Sequence, residues 1–316
     1  MTITSRAATA GLLVLVALDV VLVGMALRTN DTPVTSTSTS ASAGSAGASV
    51  SPSPVSSVAQ SSAATGTATT APAATVAPLQ TLLVAIDTKR AWRITVGSCA
   101  TGGAKVATTT DGGTTWTDAK APLRTIVRVR PTDGQTAFVI GADSSCAAQL
   151  SSTSDGGRTW AANSAVGSAW FRDLKNPKAV RAPGPSTSEP CGQHDVFDLA
   201  VLSVGSARVL CANGLIRSTS DTGSSWTDSG RAVGAVALAV LAATPAQTYV
   251  AILGAPGCAG VEVRRVDQSA PTSCIATALP NAPGQIALSL VEGGGWLTVG
   301  DTTMRSTNKQ VTWSVS

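Results

Sequence analysis

Residues Thr109 to Trp116 read TTDGGTTW, and close copies stand at Thr153 to Trp160 (TSDGGRTW) and Thr219 to Trp226 (TSDTGSSW), with a degenerate one at Ser306 to Trp313 (STNKQVTW). This repeat constrains the fold more than any other feature. The shared pattern is Ser/Thr, any, Asp, any, Gly, any, Ser/Thr, Trp. It describes a tight turn: the Asp carboxylate accepts hydrogen bonds from the turn's own amides, and Gly supplies a positive φ that a Cβ would oppose. The second hydroxyl and the indole then belong to the strand that leaves the turn.

Four short strands flank each turn. In the first unit they are expected at Leu82 to Ile86, Ala91 to Gly97, Ala104 to Thr109 and Thr115 to Asp118. Four further units begin with strands at Ile126 to Arg130, Val196 to Leu202, Ala235 to Leu241 and Gln285 to Val291. Trp226 and Trp313 stand about two repeat lengths apart, so the turn missing between them falls where spacing predicts, at Asp267 to Thr272. Four strands in roughly 40 to 50 residues is the signature of a propeller blade. The expected fold is therefore all-β: a propeller of about five four-stranded blades, or six if residues 167–188 hold further strands. Ala235 to Leu241 and Ile286 to Leu290 are almost continuously apolar, as inner strands buried on both faces should be.

On these motifs the chain resembles the sialidase-like Asp-box (BNR repeat) β-propeller family, and in particular its non-catalytic members similar to photosystem II assembly-factor propellers. The resemblance implies that Asp111, Asp155 and Asp221, with Trp116, Trp160, Trp226 and Trp313, are structural turn residues rather than a carboxylate cluster. It also implies that function resides on the opposite face, where connections between second and third strands lie.

Composition divides the chain. Residues 1–28 hold an apolar run from Ala7 to Leu27, interrupted by Thr9 and Asp19, which is long enough to cross a bilayer as a helix. A cleaved signal segment ending near Gly24-Met25-Ala26 is the rival. Residues 29–79 are almost wholly Ser, Thr, Ala, Pro, Gly and Val, which cannot bury enough apolar surface to order themselves. They read as a disordered tether with a reach on the order of 40 Å. Residues 80–316 are the propeller. The expected location is a single-pass membrane protein with the propeller outside.

Six cysteines and one histidine, His194, show no metal-ligand spacing, so no metal or other cofactor is expected. For an exported domain three disulfides are the natural reading. Of the fifteen connectivities, the favoured set is Cys99–Cys146, Cys191–Cys211 and Cys258–Cys274. Net charge is +4, yet no basic run or basic-aromatic stripe appears, so nucleic acid is not an expected partner.

The sialidase reading requires a tyrosine nucleophile, a paired glutamate and three arginines. Here the single tyrosine, Tyr249, falls on a second strand, and the glutamates are only Glu189, Glu262 and Glu292. The family's Phe-Arg-Ile-Pro motif finds its nearest likeness in Phe171-Arg172-Asp173-Leu174, after the second repeat rather than before the first. A two-carboxylate glycosidase would have to draw on Asp195, Asp198 and Glu292, which form no evident pair. The expectation is a non-catalytic binding or assembly module for a protein or cell-envelope glycan, the alternative being a secreted or anchored glycoside hydrolase of sialidase-like architecture. The expected contact surface is the long insertion Ala165 to Asp195, with Trp170, Phe171, Arg172, Lys175 and His194 as its binding residues.

Overall fold

Among the described residues, short aliphatic and β-branched runs, most of them stopped by a Gly-, Asp- or Pro-bearing turn, form 23 strands in six separate antiparallel sheets. The computed structural model describes residues 78–316 except 185, 281 and 283. The expected membrane span at 7–27, and the expected linker as far as residue 77, lie outside the described residues. Among the described residues no helix is long and apolar enough to cross a membrane.

Blade one comprises β1 (Thr81–Ala85), β2 (Ala91–Thr95), β3 (Lys105–Thr109) and β4 (Thr117–Ala119). Blade two comprises β5 (Thr125–Pro131), β6 (Ala137–Ala142), β7 (Ala148–Thr153) and β8 (Ser164–Ala165). Blade three has three strands, β9 (Phe171–Arg172), β10 (Val180–Arg181) and β11 (Thr187–Ser188). Blade four is β12 (Val196–Val201), β13 (Ala207–Cys211), β14 (Leu215–Thr219) and β15 (Thr227–Arg231). Blade five is β16 (Ala235–Leu241), β17 (Gln247–Leu253), β18 (Gly260–Arg265) and β19 (Ser273–Ala276). Blade six is β20 (Ile286–Val291), β21 (Gly294–Val299), β22 (Thr302–Ser306) and β23 (Ser314–Val315). The first strands touch in sequence, β1 to β5, β9, β12, β16, β20 and back to β1, so the sheets close into a ring.

The blade count is thus six, not five. The additional blade, blade three, lies inside the stretch read as an insertion on the rim, where two-residue strands give no periodic signal. Trp170, Phe171, Val180 and Ala182 of this stretch are buried.

Apolar clusters fill the clefts between consecutive blades. Trp92, Ile94 and Val106 of blade one meet Ile126, Val129 and Val139 of blade two. Similar clusters join blades three and four, four and five, five and six, and six and one. Among the described residues no such cluster joins blades two and three. That cleft is bridged by Arg128, whose Nη1 donates to the Trp170 carbonyl at 2.6 Å.

Each repeated turn closes in the same way. Asp111 Oδ1 accepts from the Thr115 amide at 3.0 Å and from the Thr109 hydroxyl at 2.9 Å, and Oδ2 accepts from the Thr115 hydroxyl at 2.6 Å. Asp155 and Asp221 reproduce these bonds with Thr159 and Ser225. The degenerate copy keeps the geometry with Asn308, which accepts from Ser306 Oγ and the Thr312 amide. Lys309 and Gln310 there take φ of 59° and 66° without glycine.

The indoles reach back to the preceding blade. Trp116 stands edge-on to Trp296 of blade six, and Trp226 edge-on to Trp170 of blade three, both at 6.1 Å between centroids. Trp313 Nε1 donates to Ser273 Oγ of blade five. One motif therefore both closes a turn and docks a blade.

No strand is exchanged between the first and last blades among the described residues. Ring closure falls to side chains and to the incoming chain. Ser289 Oγ accepts from the Ala85 amide, Trp296 Nε1 donates to the Asp87 carbonyl, and Gln80 N donates to the Gly284 carbonyl. Leu79, placed by the sequence reading at the end of the linker, is buried in the ring.

All six cysteines are paired, as Cys99–Cys146, Cys191–Cys211 and Cys258–Cys274. The first ties blade one to blade two; the third lies within blade five of the six-blade count. Three disulfides are consistent with an oxidising, extracellular setting.

Candidate functional site

The six first strands surround a central cavity of about 310 Å³. Their burial is graded along their length. They begin at Thr81, Thr125, Val196, Ala235 and Ile286 fully buried, and they end at Ala85, Pro131, Val201, Leu241 and Val291 half-exposed. One end of the cavity is accordingly closed and the other open.

The closed end is sealed by the incoming chain. The Leu79 amide donates to the Phe197 carbonyl at 3.2 Å, and Arg172 Nη2 donates to the Leu79 carbonyl at 3.0 Å. Beneath this plug lies Asp198, whose Oδ1 accepts from the Leu199 amide and whose Oδ2 accepts from the Leu238 amide, both at 2.7 Å. One carboxylate thus clips blade four to the inner edge of blade five.

Burial raises the Asp198 carboxyl to about 6, opposed by the Leu238 amide, the Arg172 charge and the Leu199 amide. The folded protein therefore holds this proton more tightly than the unfolded chain does. The associated stability is fully present below pH ~4 and is lost as pH rises through 6, by about 3 kcal/mol. Asp198→Asn should flatten the pH dependence of the urea midpoint between pH 4 and 6. An unchanged slope would remove Asp198 as its source.

The turn carboxylates act in the other direction. Hydroxyl and amide donors at Thr115, Thr159 and Ser225 lower Asp111, Asp155 and Asp221 to about 2. Their contribution is present above pH ~4 and fades as pH falls through 2.

The open end faces the same side as the repeated turns. Ala85, Ala91 and Thr109 lie at one end of blade one, and the Gly112 amide donates to the Lys89 carbonyl across it. The cysteines sit at the closed end. The family resemblance pointed to the cysteine side, but the cavity opens on the other.

Its walls are aliphatic, with Leu82, Val84, Leu199, Val201 and Val240 half-buried. Leu202 and Val204 stand exposed beside the mouth, at 39% and 71%. Three arginines interrupt this surface, Arg128 and Arg130 on the same strand and Arg172 at the floor. Burial and then the Arg130 charge lower Arg128 to about 10. Among the described residues Asp198 is the only carboxylate of the lining.

The five expected binding residues do not converge. Trp170 is 2% exposed and donates Nε1 to the Val204 carbonyl, so it is a core residue. Arg172 lies at the cavity floor. Phe171 is buried between the cavity and a second groove of about 350 Å³ on the outer side of blades two and three, which Lys175 and Arg181 also line. His194 is exposed in the loop of the Cys191–Cys211 pair. Arg128 and Arg130 were missed because they sit inside an ordinary alternating strand, and only ring closure brings that strand to the centre. Among the described residues no group of three or more His, Cys, Asp or Glu side chains could hold a metal.

No family model matches the sequence. No curated protein matches it either. Several solved structures are similar. YCF48 bound to D1 peptide is 17% identical over 75% of this chain and 68% of that one, at a TM-score of 0.29. The Aleuria aurantia lectin in complex with Fucα1-6GlcNAc is 11% identical over 75% and 94%, at 0.48. The GH74 xyloglucanase from Xanthomonas campestris is 16% identical over 74% of this chain but only 38% of its own, at 0.29. At these TM-scores the likenesses add nothing to the fold that the strand pairing establishes, and none bears on chemistry.

Proposed function

We propose that this chain is a non-catalytic binding propeller of the Asp-box class, held on the outer side of a membrane by residues 1–28 and the tether that follows them up to residue 77. Its ligand is a protein segment taken up at the open mouth of the central cavity. The observation that carries the reading is the lining itself, largely aliphatic walls with three arginines and, among the described residues, a single carboxylate. Both oxygens of Asp198 are occupied by backbone amides, so among the described residues no pair of carboxylates faces the cavity. A glycan would ask for exposed rings to stack on, whereas the one aromatic in the lining, Phe171, is buried.

A photo-crosslinking residue placed at Ser203, exposed at the mouth, should yield adducts with one envelope protein in intact cells. The same residue at His194, on the cysteine side, should yield none. Adducts from His194 alone would move the contact surface to the cysteine side and end this reading. Alkaline extraction that released the whole chain from membranes would end the anchoring part.

A further inference from the structure

We propose that the central cavity binds a carboxylate carried on an apolar body, with Arg128 and Arg130 taking the carboxylate and the aliphatic walls taking the body. The inference rests on the cavity being the ligand site and names what that ligand must carry.

Arg128 and Arg130 are two residues apart on β5, so their side chains leave the same face of the strand. Neither forms an ion pair among the described residues. Arg90, Arg181, Arg217, Arg264 and Arg265 by contrast each have a carboxylate within 2.5 to 2.9 Å. Arg128 Nη1 is bound to the Trp170 carbonyl, but its buried Nε has no partner at all. A buried donor without an acceptor, beside a second like charge, is costly to hold. An arriving carboxylate relieves both defects, and the guanidinium fork matches its two oxygens.

The rest of the lining fixes what the carboxylate is attached to. Leu82, Val84, Leu199, Val201 and Val240 offer only aliphatic contact, and Leu202 and Val204 extend it past the mouth. A cavity of about 310 Å³ is at the low end for a ligand site. It suits a short apolar terminus or a short-chain acid rather than a folded surface. Asp198 does not repel the anion from the floor, because its charge is spent on two amides and faced by Arg172.

Calorimetric titration of the full-length chain tests this with three probes: N-acetyl-Leu-Val-Ala with a free carboxylate, the same peptide as its terminal amide, and hexanoate. The free acid should bind at least tenfold more tightly than the amide. Arg130→Ala, at an exposed position, should erase that difference without altering the fold, and Arg128→Lys should weaken the acid while keeping the charge. Hexanoate binding as tightly as the peptide acid identifies a free acid as the source; tenfold weaker binding identifies a peptide terminus. Equal binding of acid and amide, or unchanged acid affinity in Arg130→Ala, overturns the proposal while leaving the cavity as a ligand site. Binding of none of the probes overturns it too, and the Ser203 crosslink then decides independently whether the cavity mouth is used.

Discussion

Trp170→Ala should lower the unfolding free energy by about 4 kcal/mol, the usual cost of emptying a buried tryptophan site. The indole packs edge-on to Trp226, lies among Val180, Cys191, Val209 and Cys211, and gives its N–H to the Val204 carbonyl. Its loss would open the cleft between blades three and four and leave that carbonyl unpaired. Lys175→Ala and His194→Ala, both exposed, should stay within about 0.5 kcal/mol of the parent. Urea unfolding of the three variants is the check. A Trp170→Ala protein of parental stability that had lost its partner would restore the indole to a contact role.

The second large effect concerns the cysteine pairs. Removing Cys99–Cys146 by double serine substitution should cost about 4 kcal/mol, and removing Cys258–Cys274 about 3 kcal/mol, because the chain-entropy contribution grows with the loop closed. The separations are 47 and 16 residues. Arg124 holds the same loop from blade two, donating to the carbonyls of Cys99 and Ala100, so the reduced loop keeps a polar clip. Denaturation midpoints of the two double variants, compared at constant pH, read the difference directly. The reverse order would mean that the Cys99 loop is already ordered in the unfolded chain.

Much of the architecture is written locally. Where a turn motif and a β-branched or aliphatic run coincide, as at Ala148–Thr153 and Ala207–Cys211, strand bounds follow from sequence alone. Blade three is different, because it has no such motif and its strands are two residues long. A weaker signal does run through it. Asp173 Oδ1 accepts from the amides of Lys175 and Asn176, as Asp87 does from Lys89 and Arg90 and Asp133 from Gln135 and Thr136. This second repeated turn joins first and second strands. Reading Asp173-Leu174-Lys175-Asn176 against Asp87-Thr88-Lys89-Arg90 identifies the hidden blade.

The cavity was less legible for a topological reason. Arg128, Asp198 and Leu238 lie on three different blades, and nothing local records that they share one centre. The direction of opening depends on Leu79, a residue that follows a low-complexity stretch rich in Ala, Pro, Ser and Thr.

The way the chain enters the ring also determines how it would carry a load. Tension drawn along the backbone from residue 77 arrives at the middle of the closed end rather than at the margin of one sheet. There the Leu79 amide and carbonyl hold blades four and three, and Gln80 holds blade six. Force is divided among several blades in parallel instead of unzipping a single strand bond by bond. The chain is thus seized at the hub of the wheel, by three blades at once, rather than at its margin.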